Sequence, residues 1–218
     1  MKKIIILIFL LACISVSGQN HFLGVRLGSN FSTVQSSTDI LKDAETKTGF
    51  VGGITYEYHL LKFIRLEADL IYTQKGYKLP VSFTNEVGIV IGEGYLIAHN
   101  DYISLPLKAG VSFGSLLSFF ANIGVAPSLL TKAMYKSDFE VEGEFKHDVS
   151  DRVKSFDISG LAELGVGLNF GRFNVFINAS YEHSFTDYPD DDYYGDTELR
   201  NTGFGVSAGC RYALKSRQ

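Results

Sequence analysis

This sequence predicts an all-β chain, a transmembrane up-and-down antiparallel β-barrel of eight strands, and three observations predict it. The first is the stretch Phe63 to Lys75. Ile64, Leu66, Ala68, Leu70 and Tyr72 occupy its even positions, while Arg65, Glu67, Asp69, Thr73 and Lys75 occupy most of the odd ones. A strand sends successive side chains to opposite faces, so one face of this segment is apolar and the other ionic. The second is repetition: seven other segments carry the same alternation, and the connections between them are short and long in turn. The third is a leader-like N-terminus, which favours the apolar face toward lipid and the ionic face toward a lumen.

The strands are expected at about 21–33, 49–60, 63–78, 101–113, 117–132, 154–170, 173–186 and 202–214. Leu60-Leu61-Lys62, Gly114-Ser115-Leu116 and Gly171-Arg172 make tight connections, whereas 34–48, 79–100, 135–153 and 187–201 are long and polar. Short turns on one side and long loops on the other are the habit of outer-membrane barrels, with the short turns periplasmic. An even strand count then returns both termini to the periplasmic side. A ten-stranded variant arises if Val81 to Ile97 crosses as an extra hairpin. Gly92-Glu93-Gly94 and the charged flanks suit a hairpin standing above the membrane better.

Register can be tested on aromatics. Tyr58, Phe113, Phe119, Phe170, Phe173 and Tyr212 flank the short turns, and each falls on the apolar parity of its strand. Phe31, Phe50, Tyr72, Phe156, Tyr181 and Phe204 do the same at the other end. These are the two girdles expected at the membrane interfaces. Phe50 and Tyr58 are eight residues apart, which at a tilt near 40° spans roughly 20 Å of height. The opposite parity collects Arg26, Glu57, Arg65, Glu67, Asp69, Lys108, Glu163, Glu182 and Arg211, with Tyr102, Ser104, Asn122, Ser159, Asn174, Asn178, Ser180 and Ser207. Eight strands leave an interior that side chains fill. Charges inside it must pair, so a connected polar network and a plugged cylinder are expected.

Composition agrees with export and with a sheet. Lys2-Lys3 precede a short apolar run from Ile4 to Ala12, and Val16-Ser17-Gly18 offers a cleavage site before Gln19. Residues 1–18 are therefore read as a signal peptide and 19–218 as the barrel domain. A competing lipobox, Leu10-Leu11-Ala12-Cys13, would lipidate Cys13; plain cleavage is preferred because the better-formed exit site follows it. Removing Lys2 and Lys3 from the 20 basic residues leaves 18 against 24 acidic, a net of −6, which disfavours a nucleic-acid partner. Cys210 is then the remaining cysteine, so no intramolecular disulfide can form.

Gly49-Phe-Val-Gly-Gly-Ile-Thr-Tyr-Glu-Tyr58, followed by Phe63 to Gly76, resembles the second hairpin of the PorT-like outer-membrane β-barrel family. Tyr102-Ile-Ser-Leu-Pro-Leu-Lys-Ala-Gly110 is similar to that family's Tyr…Pro strand, with Pro106 in the corresponding place. Arg172 to Tyr181 and Asn201 to Tyr212 match more generically. The resemblance implies the outer membrane of Bacteroidota-type bacteria and, for most members, no assigned activity. A few relatives belong to a protein-secretion and gliding apparatus, which implies an envelope or secretion-machinery protein as partner. One departure is that the chain runs past Leu214 as Lys-Ser-Arg-Gln, whereas barrel chains end on an aromatic.

No catalytic constellation stands out. Glu182-His183-Ser184 is the best candidate, but adjacent His183 and Ser184 point to opposite faces of a strand. His59, His99 and His147 show no metal-ligand spacing. In the acidic segment Asp187 to Glu198, Asp190, Asp192 and Gly195 match three positions of a calcium loop, but Tyr194 and Asn201 fall where ligands are needed. It reads as a solvated acidic loop, as does Glu140 to Glu144. Cys210 lies on the lipid parity and reads as a small apolar residue. The functional expectation is a monomeric, non-enzymatic outer-membrane barrel with outer-membrane lipid around it, no cofactor, and surface loops for binding or envelope contact. A narrow pore or secretion accessory is the alternative, and a lipid-modifying enzyme a minor one.

Overall fold

Alternating side chains give each strand one polar and one apolar face, and a sheet of such strands closes on itself to bury the polar face. The computed structural model describes residues 21–36, 41, 43–85, 87–138, 146–187 and 199–214. Ten strands follow in chain order: β1 (His21–Ser36), β2 (Glu45–His59), β3 (Ile64–Thr84), β4 (Val90–Ser104), β5 (Leu107–Gly114), β6 (Leu117–Ser137), β7 (Lys146–Asp148), β8 (Phe156–Phe170), β9 (Phe173–Ser184) and β10 (Leu199–Ala213). β1 pairs with β2 on one side and β10 on the other, and antiparallel neighbours continue through β9, β8 and β6 to β4 and β5, then β3, then back to β2. β4 and β5 form one wall strand. Ile71↔Ser104 and Ala68↔Leu107 share a single register, so Leu105-Pro106 alone separates them. Pro106 has no N–H to give the ladder, yet its carbonyl still accepts from the Asp69 N–H at 3.0 Å. β7 sits outside the ring on the end of β6. The wall thus has eight strands.

The ten-stranded variant does not form. Residues 81–97 extend the two wall strands on either side, because Leu79↔Leu96 and Val81↔Gly94 continue the register of Ile71↔Ser104. The third strand therefore runs to Thr84, beyond its expected end near 78, and the fourth begins at Val90, well before 101. β6 likewise runs to Ser137, past 132. These ends ladder with one another beyond the second aromatic row, which the alternation pattern alone does not reveal. The expected signal peptide at residues 1–18 with Cys13, the acidic stretches 140–144 and 188–198, and the tail Lys215 to Gln218 lie outside the described residues.

All twelve girdle aromatics lie on the outward face. At the short-turn end Phe113 pairs with Phe119 and Phe170 with Phe173, and the Phe173 and Tyr212 rings meet edge to face at 5.2 Å. At the other end Phe31 pairs with Phe204, Tyr181 lies 5.0 Å from Phe204, and Phe50 lies 6.4 Å from Tyr72. Between the rows the outward face is aliphatic: Leu27, Ile54, Leu70, Ile123, Leu164 and Ile177 are exposed. Burying that surface in hydrocarbon is what makes the inside-out pattern stable. An arginine at Leu164, 67% exposed between the rows, is therefore expected to cost about 2–4 kcal/mol. Urea unfolding of vesicle-inserted protein checks this, and a variant as stable as wild type would refute the lipid-facing assignment.

Candidate functional site

The inward parity of the wall converges on one buried ionic cluster. Arg26 of β1 donates to Asp69 at 2.8 Å and Glu163 at 3.1 Å, and to Ser207 at 2.7 Å. Lys108 of β5 bonds Asp69 at 2.9 Å and reaches both Glu163 oxygens at 3.3 and 3.4 Å, while also binding Glu67. Arg211 of β10 pairs with Glu57 at 3.0 Å and Glu67 at 3.1 Å. Arg65 pairs with Glu57 at 2.9 Å and contacts Glu67. Asn122 of β6 and Asn178 of β9 each donate to Glu163 at 2.7 Å. Each of the eight wall strands thus supplies at least one member. The charged members are four cations and four carboxylates, each no more than 5% exposed. A neutral, hydrogen-bonded set is the condition under which charges tolerate such burial.

Two phenylalanines floor this cluster on the short-turn side. The Arg211 guanidinium lies 3.8 Å over the Phe176 ring and that of Arg65 4.3 Å over Phe120. Cation–π contact of this kind gains when desolvated. The rings lie flat against the wall because glycines face them: a Cβ at Gly165 would collide with Phe120, and one at Gly209 with Phe176. The sequence pattern placed the charges but passed over these rings, although both lie on the lumen parity.

Of the nine residues expected in the lumen network, eight meet in this cluster and Glu182 stands apart. Glu182 accepts from Lys75 at 2.6 Å and from Ser159. Lys75 also bonds Asp157 at 3.1 Å and lies 5.3 Å from the Tyr102 ring. Asp157 is held further by Ser184 at 3.0 Å and Thr186 at 2.5 Å. Lys75 and Asp157 were absent from the expected set, although parity puts both inside. Between the two clusters lies a chamber of about 50 Å³ whose lining includes Arg26, Lys108, Glu163 and Glu182 with apolar Val51, Ile71, Pro106 and Leu161. Arg26 Nε meets no protein partner there, and the chamber is roomy enough for water to satisfy it. Glu182 and Ser184 share the lumen face, while His183 points the other way toward Phe185. That separation denies the segment the base-to-nucleophile bond a catalytic triad requires.

The long-loop end is closed by an apolar cap. Val34, Tyr77, Ala98, Ala133 and Leu199 point inward above the second cluster, and Val149 and Val153 fold over them. A short 3-10 turn, Ser150–Arg152, carries these two valines back. It is pinned by Val149 N–H to the Ala133 carbonyl at 3.0 Å and by Ala133 N–H to Ser150 Oγ at 2.9 Å. From the short turns upward, the lumen is therefore aromatic, ionic, chambered, ionic again and finally apolar.

A family model described as outer membrane protein beta-barrel domain matches residues 18–189. Similar solved structures include Neisserial surface protein A at 14% identity, covering 91% of this chain and 98% of that one, with a TM-score of 0.44. OprG from Pseudomonas aeruginosa is 11% identical over 89% of this chain and 96% of its own, with a TM-score of 0.47. Ail of Yersinia pestis is 16% identical over 88% and 99%, with a TM-score of 0.43. No match is found among curated protein sequences.

Two substitutions probe the interior. Glu67→Ala leaves Arg65, Lys108 and Arg211 short of a counter-charge and is expected to cost about 3–5 kcal/mol in unfolding experiments. Gly209→Ala forces the Phe176 ring off the wall and is expected to cost about 1–3 kcal/mol. Loss of the Phe176–Arg211 contact should be visible as a changed Arg211 side-chain NMR shift; an unshifted, fully stable Gly209→Ala protein would contradict the fit.

Proposed function

This chain belongs to the outer membrane protein beta-barrel domain family, and on that footing we propose that it is a non-conducting barrel whose work is done on its surface. The observation that carries this reading is the closure of the lumen at successive levels. Eight buried charges of zero sum, with Asn122 and Asn178, join all the wall strands, phenylalanines stack beneath them, and an apolar cap covers the long-loop end. An ion crossing this interior must break several pairs at once, each in a low-dielectric setting where an unpaired charge is expensive. The short turns face the periplasm and the long loops face outward, as the length asymmetry supports. The leader at residues 1–18 directs export and is removed. Among the described residues no lumen group is arranged for turnover, which supports a non-enzymatic role in binding or envelope contact. The finer kinship with the PorT-like barrels rests on the stretches at 49–76 and 102–110.

Single-channel recording of refolded protein in planar bilayers tests this. The expected result is a silent membrane for the wild type. Small, flickering openings are expected for Glu67→Ala, in which the plug is loosened. Stable, large, ohmic wild-type openings would overturn the plugged lumen and make the chain a pore.

A further inference from the structure

The short-turn mouth of the lumen holds a pocket that the ionic cluster leaves unfilled. The terminal inward side chains of five wall strands line it: Phe22 of β1, His59 of β2, Ser112 of β5, Asn169 of β8 and Asn174 of β9. The Phe22 and His59 rings rest together at 5.0 Å. Phe120, with the Arg65 guanidinium stacked on it, forms the floor, and Lys62 overhangs the opening from the β2–β3 turn. The enclosed volume is about 60 Å³, which is room for roughly four to six water-sized groups.

Four ionisable groups face this pocket: Glu57, His59, Lys62 and Arg65. Glu57 is already matched, by Arg65 at 2.9 Å and Arg211 at 3.0 Å, and it accepts from His59. Arg65 is matched in turn by Glu57 and Glu67. Lys62 has no ion pair among the described residues. The three short turns, 60–63, 114–116 and 171–172, contain no Asp or Glu that could serve it. Unused donors accompany it. Ser112 Oγ makes no hydrogen bond among the described residues. Asn169 and Asn174 each spend one amide N–H, on the Ser115 carbonyl at 2.6 Å and on Asn169 Oδ1 at 2.9 Å, and keep the other. Arg65, 3% exposed, has an Nε without a partner. An exposed lysine alone is commonplace, but a lysine set over a pocket of spare donors is the composition of an anion site.

Charge says which anion. With one unmatched cation the pocket suits a monoanion. A phosphate monoester carries about −1.5 to −2 and would set excess negative charge beside Glu57. A carboxylate carries a single charge, and its two oxygens accept from the lysine and from neutral donors at once. Phe22 and Phe120 give an apolar wall to the carbon behind it. We propose that Lys62, Ser112, Asn169 and Asn174 bind a single carboxylate entering from the periplasm, borne by a polypeptide chain end or by a small free acid. The inference rests on the closed barrel with periplasmic short turns proposed above.

The test uses the folded full chain in bicelles, which leave both mouths open to solvent. The side-chain amides of Asn169 and Asn174 are followed by ¹⁵N NMR. The protein is titrated with N-acetyl dialanine, with the same dipeptide as its C-terminal amide, with acetate or with inorganic phosphate. Saturable shifts of both side-chain amides are expected with the dipeptide acid, and none with the amidated dipeptide. The affinity should fall about ten-fold in Lys62→Gln and stay unchanged in Lys78→Gln at the long-loop end. Tighter binding of the dipeptide acid than of acetate supports a chain end as the bearer, and saturation at equal concentration supports a free acid. Equal shifts with the amidated dipeptide, tighter binding of phosphate, or an unaltered affinity in Lys62→Gln each overturn the carboxylate site. Planar-bilayer recording on the same protein separates the two readings. Ohmic openings overturn the closed lumen and this site with it, whereas a silent membrane with unmoved amide signals overturns the site alone.

Discussion

The central ionic cluster of this barrel is arranged around charge neutrality in a space that excludes bulk water. Arg26, Arg65, Lys108 and Arg211 face Glu57, Glu67, Asp69 and Glu163, and none of the eight can be removed without stranding a partner. Buried ion pairs are poor sources of net stability, because desolvation offsets their attraction. What they supply here is specification. A strand slipped by one residue would turn its charged face to lipid and its leucines inward. A slip by two would keep the faces but break the pairing. With every wall strand represented, the cluster holds one closed register against both errors.

The rest of the lumen follows from that requirement. Guanidinium groups need a surface to lie on, and Phe120 and Phe176 provide it where Gly165 and Gly209 leave room. Above the cluster, Lys75 sits between Asp157 and Glu182, one cation for two carboxylates that also accept from Ser159, Ser184 and Thr186. Beyond the second aromatic row the wall strands no longer need a polar interior, because they have left the membrane. Their inward residues become Val34, Tyr77, Ala98 and Ala133, an ordinary apolar core capped by Val149 and Val153. One wall therefore changes from an inside-out to a conventional pattern along its length, and the change itself marks the membrane surface.

How much of this the sequence disclosed depended on how local the signal was. The period-two alternation of residues 63–75 carries its own register, so strand type, facing and the membership of Arg26 to Arg211 in the lumen could be read directly. The two aromatic rows were legible for the same reason. The length of β3 and β4 was not, because residues 79–100 hold glycines and mixed polarity, and only their pairing with each other and with β6 keeps them extended. Lys75 and Asp157 lay on the lumen parity inside the expected strands, but their pairing across the lumen, Lys75 with both Asp157 and Glu182, leaves no local mark in the sequence. The cap escaped because Val149 and Val153 belong to an irregular connection whose fold is decided by the hole it covers.

The most direct test of a neutral cluster as the organising element is a double-mutant cycle on Glu163 and Lys108. Unfolding free energies in lipid vesicles would be compared for Glu163→Gln, Lys108→Met and the double variant. Removing Glu163 alone leaves Arg26 and Lys108 in excess, and removing Lys108 alone leaves Asp69, Glu67 and Glu163 in excess. Neutrality returns in the double variant. A coupling energy of at least about 1 kcal/mol is predicted, with the double variant less damaged than the sum of the single changes. Strict additivity, or single variants as stable as wild type, would contradict the role given to the cluster.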